Sequence, residues 1–219
     1  MSRIPDAATG DLFADTGSTT ICEGAVLLHG FAAAEATQLM EAITGVYAQA
    51  PPRHMITPGG HRMSAAMSNC GRYGWVTDHR GYRYETTDPD TGRPWPPIPG
   101  VIATLARRAA AAAGHADFEP DACLINRYAP GAKMSLHQDR DEQDFSAPIV
   151  SVSLGLSATF LFGGSKRNER PRRIVVQSGD VIVWGGSARL NFHGIAPLPE
   201  GEHPLTGTCR INLTLRRAR

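Results

Sequence analysis

An α+β fold, with a double-stranded β-helix (jelly roll) core braced by two N-terminal helices, is what the sequence predicts, on three observations. Helical periodicity is confined to the first half of the chain, short β-like runs crowd the second half, and turn signals separate most of those runs. Residues 1–20, rich in Ala, Asp, Thr and Gly, read as a loose N-terminal arm. Residues 25–28 (Ala-Val-Leu-Leu) form a short strand. Residues 32–50 follow as a helix, with Leu39, Ile43 and Val46 at helical spacing and Pro51 ending the run. A second helix is expected over 98–113, where Ile98, Ile102, Leu105, Ala109 and Ala112 share a face and Gly114 stands at C′. Between the helices, Gly59, Gly60, Gly71, Gly74 and Gly81 interrupt short polar-aromatic strands. That stretch is too structured for a linker and too turn-rich for a core, so about 50–95 is assigned to a lid. The strand runs are 122–128, 149–156, 158–162, 173–177, 180–184 and 209–216, with turns at Pro130-Gly131, Gly163-Gly164, Ser178-Gly179-Asp180 and Gly185-Gly186. Residues 21–219 are expected to form a single catalytic domain, its jelly-roll core at about 120–217.

At 42% hydrophobic and 20% charged over 219 residues, the chain is long enough to bury a core and is not a disordered tail. Its 22 Lys and Arg against 21 Asp and Glu leave a formal charge of +1, so a nucleic-acid partner has to be argued from local patches. Cys22, Cys70, Cys123 and Cys209 are far apart and form no C-x-x-C, which excludes a zinc ribbon and predicts buried free thiols. Acids within residues 1–15 exclude a signal-peptide h-region, and no 18 apolar residues run together. A soluble, cytoplasmic, monomeric protein without membrane contact is expected.

His137-Gln138-Asp139 places an imidazole and a carboxylate on one side of an extended chain, and His193 lies 54 residues beyond Asp139. Two His and one carboxylate make the facial triad that leaves three adjacent positions open on Fe(II). Spacing alone is weak, since an exposed His and a turn Asp in the polar run 137–144 would look the same. The last strand adds to it: Arg210, Asn212, Thr214 and Arg216 alternate with apolar residues and so share one face. Alternation by itself also fits a solvent face on an edge strand. However, Leu124, Asn126 and Tyr128 form a second such stripe just before the metal motif, and guanidinium forks match a dicarboxylate. Trp75, set among Gly and polar residues, suits a stacking platform. Trp184, at the end of an apolar strand, reads as core. The basic run 165–173 reads as a solvated loop or as a phosphate-contacting surface.

The runs Met63-Ser64, Met67, Asn69-Cys70-Gly71, Gly74-Trp75, 121–136 (DACLINRYAPGAKMSL), His137-Gln138-Asp139, 148–156 (PIVSVSLGL), 179–186 (GDVIVWGG) and 210–216 together resemble the AlkB family, over roughly residues 11–217. Its bacterial members are iron(II)- and 2-oxoglutarate-dependent dioxygenases that dealkylate DNA. The resemblance implies a jelly-roll core with a nucleotide-recognition lid, and Fe(II), 2-oxoglutarate and O2 as cofactor and co-substrates. It makes His137, Asp139 and His193 the metal ligands and catalytic centre. Arg210 would pair with the 2-oxoglutarate carboxylate near the metal and Arg216 with the other, with Asn126, Tyr128 and Asn212 completing that pocket. Trp75 would stack on a flipped base held against His137, and Tyr82 and Arg167 would hold flanking phosphates or nucleotide. Asp141 would meet the exocyclic amine with Glu142 nearby, while Met67 and Leu124 would pack around the alkyl group. His61 replaces an aromatic hydroxyl and Arg140 a lysine, departures that bear on lesion and strand preference.

The implied reaction is oxidative demethylation of 1-methyladenine and 3-methylcytosine, with release of formaldehyde, succinate and CO2 as direct-reversal repair. The partner would be alkylated DNA, single strands preferred, with RNA as a further substrate. The competing readings are an oxygenase of the same chemistry acting on a small molecule or a protein, and a non-catalytic jelly-roll binding module.

Overall fold

The computed structural model describes residues 17–219. In chain order its elements are β1 (Ser18–Cys22), β2 (Ala25–Leu28), α1 (Ala36–Gln49), β3 (Ala66–Gly71), β4 (Gly74–Asp78), β5 (Gly81–Glu85), α2 (Gly100–Ala112), β6 (Ala122–Tyr128), β7 (Met134–His137), β8 (Ile149–Gly155), β9 (Ala158–Phe162), β10 (Arg172–Val176), β11 (Val181–Trp184), β12 (His193–Ile195) and β13 (Arg210–Arg216). A seven-stranded sheet runs β1-β2-β11-β8-β13-β6-β3, a four-stranded sheet runs β10-β9-β12-β7, and β4 and β5 form a separate hairpin. Every pairing is antiparallel.

Apart from the largely exposed edge strand β1, the large sheet is covered on both faces, and the period of two sorts its residues. Ile125, Val150, Val152, Val181, Val183, Ile211, Leu213 and Leu215 join one apolar cluster with Leu39, Ile43, Ile102 and Leu105 of the helices. Leu124, Ile149, Ile182 and Trp184 join a second with Phe160, Phe162 and Ile195 of the small sheet. Fully burying such side chains contributes about 1.5–3 kcal/mol each. This is the two-sheet jelly roll with helices on its outer face that the sequence predicts.

Both helices start later than expected. Residues 30–35 turn instead of winding, because the Ala32 N–H donates to the Gly179 carbonyl (2.8 Å) and the Ala33 N–H to that of Gly30 (2.9 Å). Pro99 caps α2 with ψ near 141°, and the residue before a proline is disfavoured in helix, so Ile98 stays outside yet still packs on the core. Ala112, placed on the buried face by periodicity, is exposed, and Ala106 and Ala110 are buried instead.

Three expectations need correction. Of the arm assigned to 1–20, residues 1–16 lie outside the described part, but Ser18–Thr20 belong to β1, paired with β2. β3, assigned to the lid, is an edge strand of the large sheet, buried throughout and paired with β6. Cys22 is only partly buried, whereas Cys70, Cys123 and Cys209 are buried and all four are free. Strands β7 and β12 were not anticipated. No described helix is long and apolar enough to cross a membrane.

β8 ends at Gly155, whose φ of +88° is left-handed. A Cβ there would lie 2.6 Å from the Cys209 carbonyl oxygen and closer still to Thr206 Oγ1. Gly155→Ala is therefore expected to lower stability by about 1–3 kcal/mol, the cost of a non-glycine residue held in strained backbone, read as a reduced urea midpoint at unchanged m-value.

Candidate metal centre and active site

β7 ends in His137 and β12 opens with His193, and the antiparallel register sets the two directly opposite each other. Cross-strand partners project on one face, so the rings stand 4.4 Å apart between centroids. Asp139 follows just past the end of β7, its carboxylate 3.6 Å from His137 Nε2 and 3.7 Å from His193 Nε2. The three ligand atoms all lie within 4.8 Å of one another. His137 Nδ1 lies 2.9 Å from the Ser135 carbonyl and His193 Nδ1 3.0 Å from that of Asn191. A carbonyl only accepts, so the bonding network assigns the proton to each Nδ1 and leaves each Nε2 lone pair facing Asp139.

Electrostatics favour the same state. Burial, and then the neighbouring His137, press the His193 pKa down to about 4, so its ring is neutral at pH 7. Burial opposes the charge on Asp139, but Arg216, with the two histidines, holds its carboxyl below the usual carboxylate range. Two imidazole Nε2 atoms and one carboxylate aimed at one point form a donor set for a divalent first-row metal, and Fe(II) fits it. Asp139 and His193 are buried, while the His137 side chain remains 38% exposed, so the centre opens on that side.

β13 supplies one wall. It lies between β8 and β6, buried along its whole length, so its alternation marks an interior polar face, not a solvent face. Arg210 is 1% exposed and its Nη2 donates to Ser153 Oγ (2.9 Å), with its guanidinium 5.2 Å from the Tyr128 ring centroid. Its Nε and Nη1 have no partner, nor has Asn126 Oδ1. An unpaired buried guanidinium is costly, and an anion accepting from these two N–H groups would relieve it. Asn212 Nδ2 bonds Ser151 Oγ (2.8 Å) and Asn126 Nδ2 lies 3.4 Å from Asn212 Oδ1.

The resemblance set Arg210 beside the metal, whereas the structure sets Arg216 beside the triad, and in that respect the two exchange places. Arg216, not Arg210, stands against the triad, its Nε and Nη2 donating to Asp139 Oδ2 at 2.9 and 2.6 Å. The register explains the exchange: Arg216 lies opposite Ala122 and Arg210 opposite Tyr128, six residues and about 20 Å apart along the strand. Arg210 is left as the arginine with unpaired N–H groups.

On the hairpin, Trp75 is stacked on Tyr82 (5.6 Å between centroids, 17° between planes), and its Nε1 donates to Asp141 Oδ2 (2.8 Å). Arg167 sits over the Phe192 ring (5.8 Å) in the exposed loop after β9. One cavity of about 790 Å³ is lined by all the candidate residues together: Met67, Trp75, Tyr82, Leu124, Asn126, Tyr128, His137, Asp139, Asp141, Arg167, His193, Arg210, Asn212 and Arg216. His61 and Arg140 also line it. Glu142 does not; it is buried behind the triad, accepting from the Tyr84 hydroxyl (2.6 Å).

Other residues of the site escaped the sequence reading. Ser151 and Ser153 support Asn212 and Arg210, and the alternation within Ile149–Gly155 carried that signal. Trp184 is core as expected, 1% exposed, yet it also lines the cavity with its ring 4.9 Å from that of His193. No pattern in the sequence pointed to Tyr84 or Arg189.

Because His137 is the most exposed ligand, His137→Ala should fold normally while losing metal. Calorimetric titration with Mn(II) should show a deficit larger than the roughly 10- to 100-fold typical of losing an outer-shell partner.

Comparison with known proteins agrees with this geometry. Residues 24–216 match the model of the 2OG-Fe(II) oxygenase superfamily. The alpha-ketoglutarate-dependent dioxygenase AlkB of Escherichia coli (strain K12) is 57% identical over 210 residues, 95% of this chain and 97% of that protein. The nucleic acid dioxygenase ALKBH1 of Homo sapiens is 36% identical over 131 residues, 58% of this chain and 33% of that one. The solved structure of OsALKBH1 superposes with a TM-score of 0.81 at 28% identity, covering 92% of this chain and 100% of the other. The triad, the buried arginine face and the near full-length match lead to one conclusion: the chain belongs to the 2OG-Fe(II) oxygenase superfamily and, within it, to the AlkB dioxygenases, enzymes that use Fe(II), 2-oxoglutarate and O2.

Proposed function

We propose that this dioxygenase oxidatively demethylates alkylated nucleobases, 1-methyladenine and 3-methylcytosine in DNA above all, with RNA as a further substrate, and so repairs them by direct reversal. The observation that carries this reading is the aromatic pair Trp75–Tyr82, anchored to Asp141, at the cavity that holds the triad. A flat, π-faced ligand of base size suits it. Relatives named as nucleic acid dioxygenases point the same way. A methyl group on the Watson–Crick edge can be reached only when the base leaves the stack, which is cheapest for lesions that cannot pair and cheaper still in single strands. The free cysteines fit a reducing cytoplasm.

In this reading His137, Asp139 and His193 would hold Fe(II), which, with 2-oxoglutarate and O2, supplies the oxidation of the N-methyl carbon. The protein's own residues do the rest. Arg210, with Asn126, Tyr128 and Asn212, would receive the far carboxylate of 2-oxoglutarate through the unpaired guanidinium N–H groups. Arg216 keeps Asp139 ionised and fixed. Trp75 and His137 would sandwich the base, Met67 and Leu124 would pack on its methyl group, and Tyr82 and Arg167, with the lid hairpin, would hold flanking nucleotide. The protein's contribution is to orient one C–H bond and keep water out. The test is formaldehyde release from a 1-methyladenine oligonucleotide against a panel of methylated metabolites. Turnover confined to the panel would overturn the reading.

Arg210→Ala should weaken 2-oxoglutarate binding by about 2–5 kcal/mol, the usual cost of truncating one partner of a buried charge pair, measured calorimetrically with Mn(II) present. Unchanged affinity would remove the arginine from the co-substrate pocket.

Asp141 should select charge. At neutral pH 1-methyladenine and 3-methylcytosine are cations and 1-methylguanine is neutral, and in a cavity partly shielded from water a carboxylate attracts the cations more strongly than in bulk solvent. Asp141→Asn keeps an acceptor for Trp75 Nε1 but deletes the charge. It should cost the cationic lesions about 1–2 kcal/mol in specificity, the margin of a charged over a neutral hydrogen bond, and the neutral lesion much less. The ratio of repair rates for 1-methyladenine and 1-methylguanine in matched oligonucleotides measures it.

A further inference from the structure

Among the buried polar side chains to which the proposed chemistry gives no role are Tyr84, Glu142 and Arg189. They sit behind the triad and connect to one another. Tyr84 lies on β5 opposite Trp75 in the hairpin register, on the same strand face as Tyr82. Its hydroxyl donates to Glu142 Oε1 (2.6 Å) and accepts from Arg216 Nη1 (3.4 Å). Arg216 in turn grips Asp139 Oδ2 through Nε and Nη2, and its Nε lies 3.4 Å from Glu142 Oε1. On the other side of Glu142, Arg189 Nη2 lies 3.2 Å from Oε2 while Arg189 Nη1 donates to the Asp139 carbonyl (2.8 Å). Asp139 is thus held at its side chain by one arginine and at its backbone by another, and both arginines lean on Glu142.

Two struts run from the hairpin to the short segment 139–142. Trp75 Nε1 reaches Asp141, and the Tyr84 hydroxyl reaches Glu142. The first belongs to the base platform. The second ends in the ion cluster around a metal ligand. Burial raises the Tyr84 pKa well above its ordinary value, so the hydroxyl stays a donor across the working pH range. In a water-poor cluster of this kind each bond is strengthened by its neighbours, and the loss of one member is felt by the rest.

We propose that Tyr84 is a positioning residue through which the hairpin carrying Trp75 and Tyr82 sets the orientation of the metal ligand Asp139, by way of Glu142 and Arg216. A base settling on Trp75 and shifting the hairpin would then alter how firmly Asp139 is held, so lesion and metal affinities are linked. This second half rests on the nucleobase reading of the hairpin. The positioning of Asp139 does not.

The experiment titrates Mn(II) into the full-length chain by calorimetry, with and without a 1-methyladenine oligonucleotide. Without nucleic acid, Tyr84→Phe should weaken Mn(II) binding about tenfold, the low end for loss of an outer-shell partner. Thr77→Val, which removes a different hydroxyl bond on the same hairpin (Thr77 Oγ1 to the Ile56 carbonyl, 3.3 Å), should bind Mn(II) as the wild type does. In the wild type the oligonucleotide should change Mn(II) affinity, and by reciprocity Mn(II) should change oligonucleotide affinity by the same factor; in Tyr84→Phe that factor should fall toward one. Glu142→Gln, which keeps the shape but weakens the grip on both arginines, should reproduce the Mn(II) loss and serves if Tyr84→Phe does not fold. Unchanged Mn(II) affinity in these variants would overturn the proposal, as would an oligonucleotide–Mn(II) factor in Tyr84→Phe equal to that of the wild type. A wild type that binds the methylated oligonucleotide with no change in Mn(II) affinity would overturn the linkage, one that does not bind it at all would overturn the nucleobase reading, and in both cases the titrations without nucleic acid would still decide the role of Tyr84.

Discussion

The buried pair between Arg216 and Asp139 is the interaction on which the site depends. A carboxylate 9% exposed beside two imidazoles is costly to keep ionised, and the guanidinium 2.6 Å away is the largest force that holds it so. The pair also joins distant parts of the chain, since Arg216 ends β13 in the large sheet while Asp139 follows β7 in the small one. Breaking such a pair from one side typically costs about 3–5 kcal/mol, because the other charge is left buried and alone. The same contact therefore fastens the two sheets together and prepares a candidate metal ligand.

The large sheet is economical in its use of chain. One face of β6, β8 and β13 carries Ile125, Val150, Val152, Ile211, Leu213 and Leu215 into the helical core, while the other face of the same strands carries Asn126, Ser151, Ser153, Arg210 and Asn212 toward the cavity. Hydrophobic burial on one side supplies the rigidity that the polar side needs. A guanidinium with two unpaired N–H groups, such as that of Arg210, persists only in a framework stable enough to hold it.

The legibility of the chain followed the range of the interactions involved. Strand 122–128 and strand 158–162 could be bounded to the residue because short apolar-rich runs there are flanked by turn residues, and both signals are local. The start of α1 could not, because the carbonyl of Gly179, far away in sequence, accepts from the Ala32 N–H and holds the chain there in a turn. β3 looked like lid for a related reason. Its Ala-Met-Ser-Asn-Cys-Gly composition is that of a loop, and only pairing with β6 and cover on both sides make it a sheet edge.

For the candidate site, the sequence by itself determined the residue types, the period-two sorting of β13 and β6, and the combination of motifs that resembles the AlkB family. Chemistry written in residue identity and short-range alternation survives in one dimension. Tertiary structure decided the rest. The antiparallel register of β7 and β12 set His137 opposite His193, and the direction of β13 gave Asp139 to Arg216 and left Arg210 unpaired. The joining of Tyr84, Glu142 and Arg189 could not be read from the sequence, which set Glu142 only beside Asp141, because these residues come from a hairpin and two loops that meet only when both sheets are packed. Hydrogen bonds and ion pairs act over a few ångströms of space, whatever the separation along the chain, so their partners are chosen by the fold.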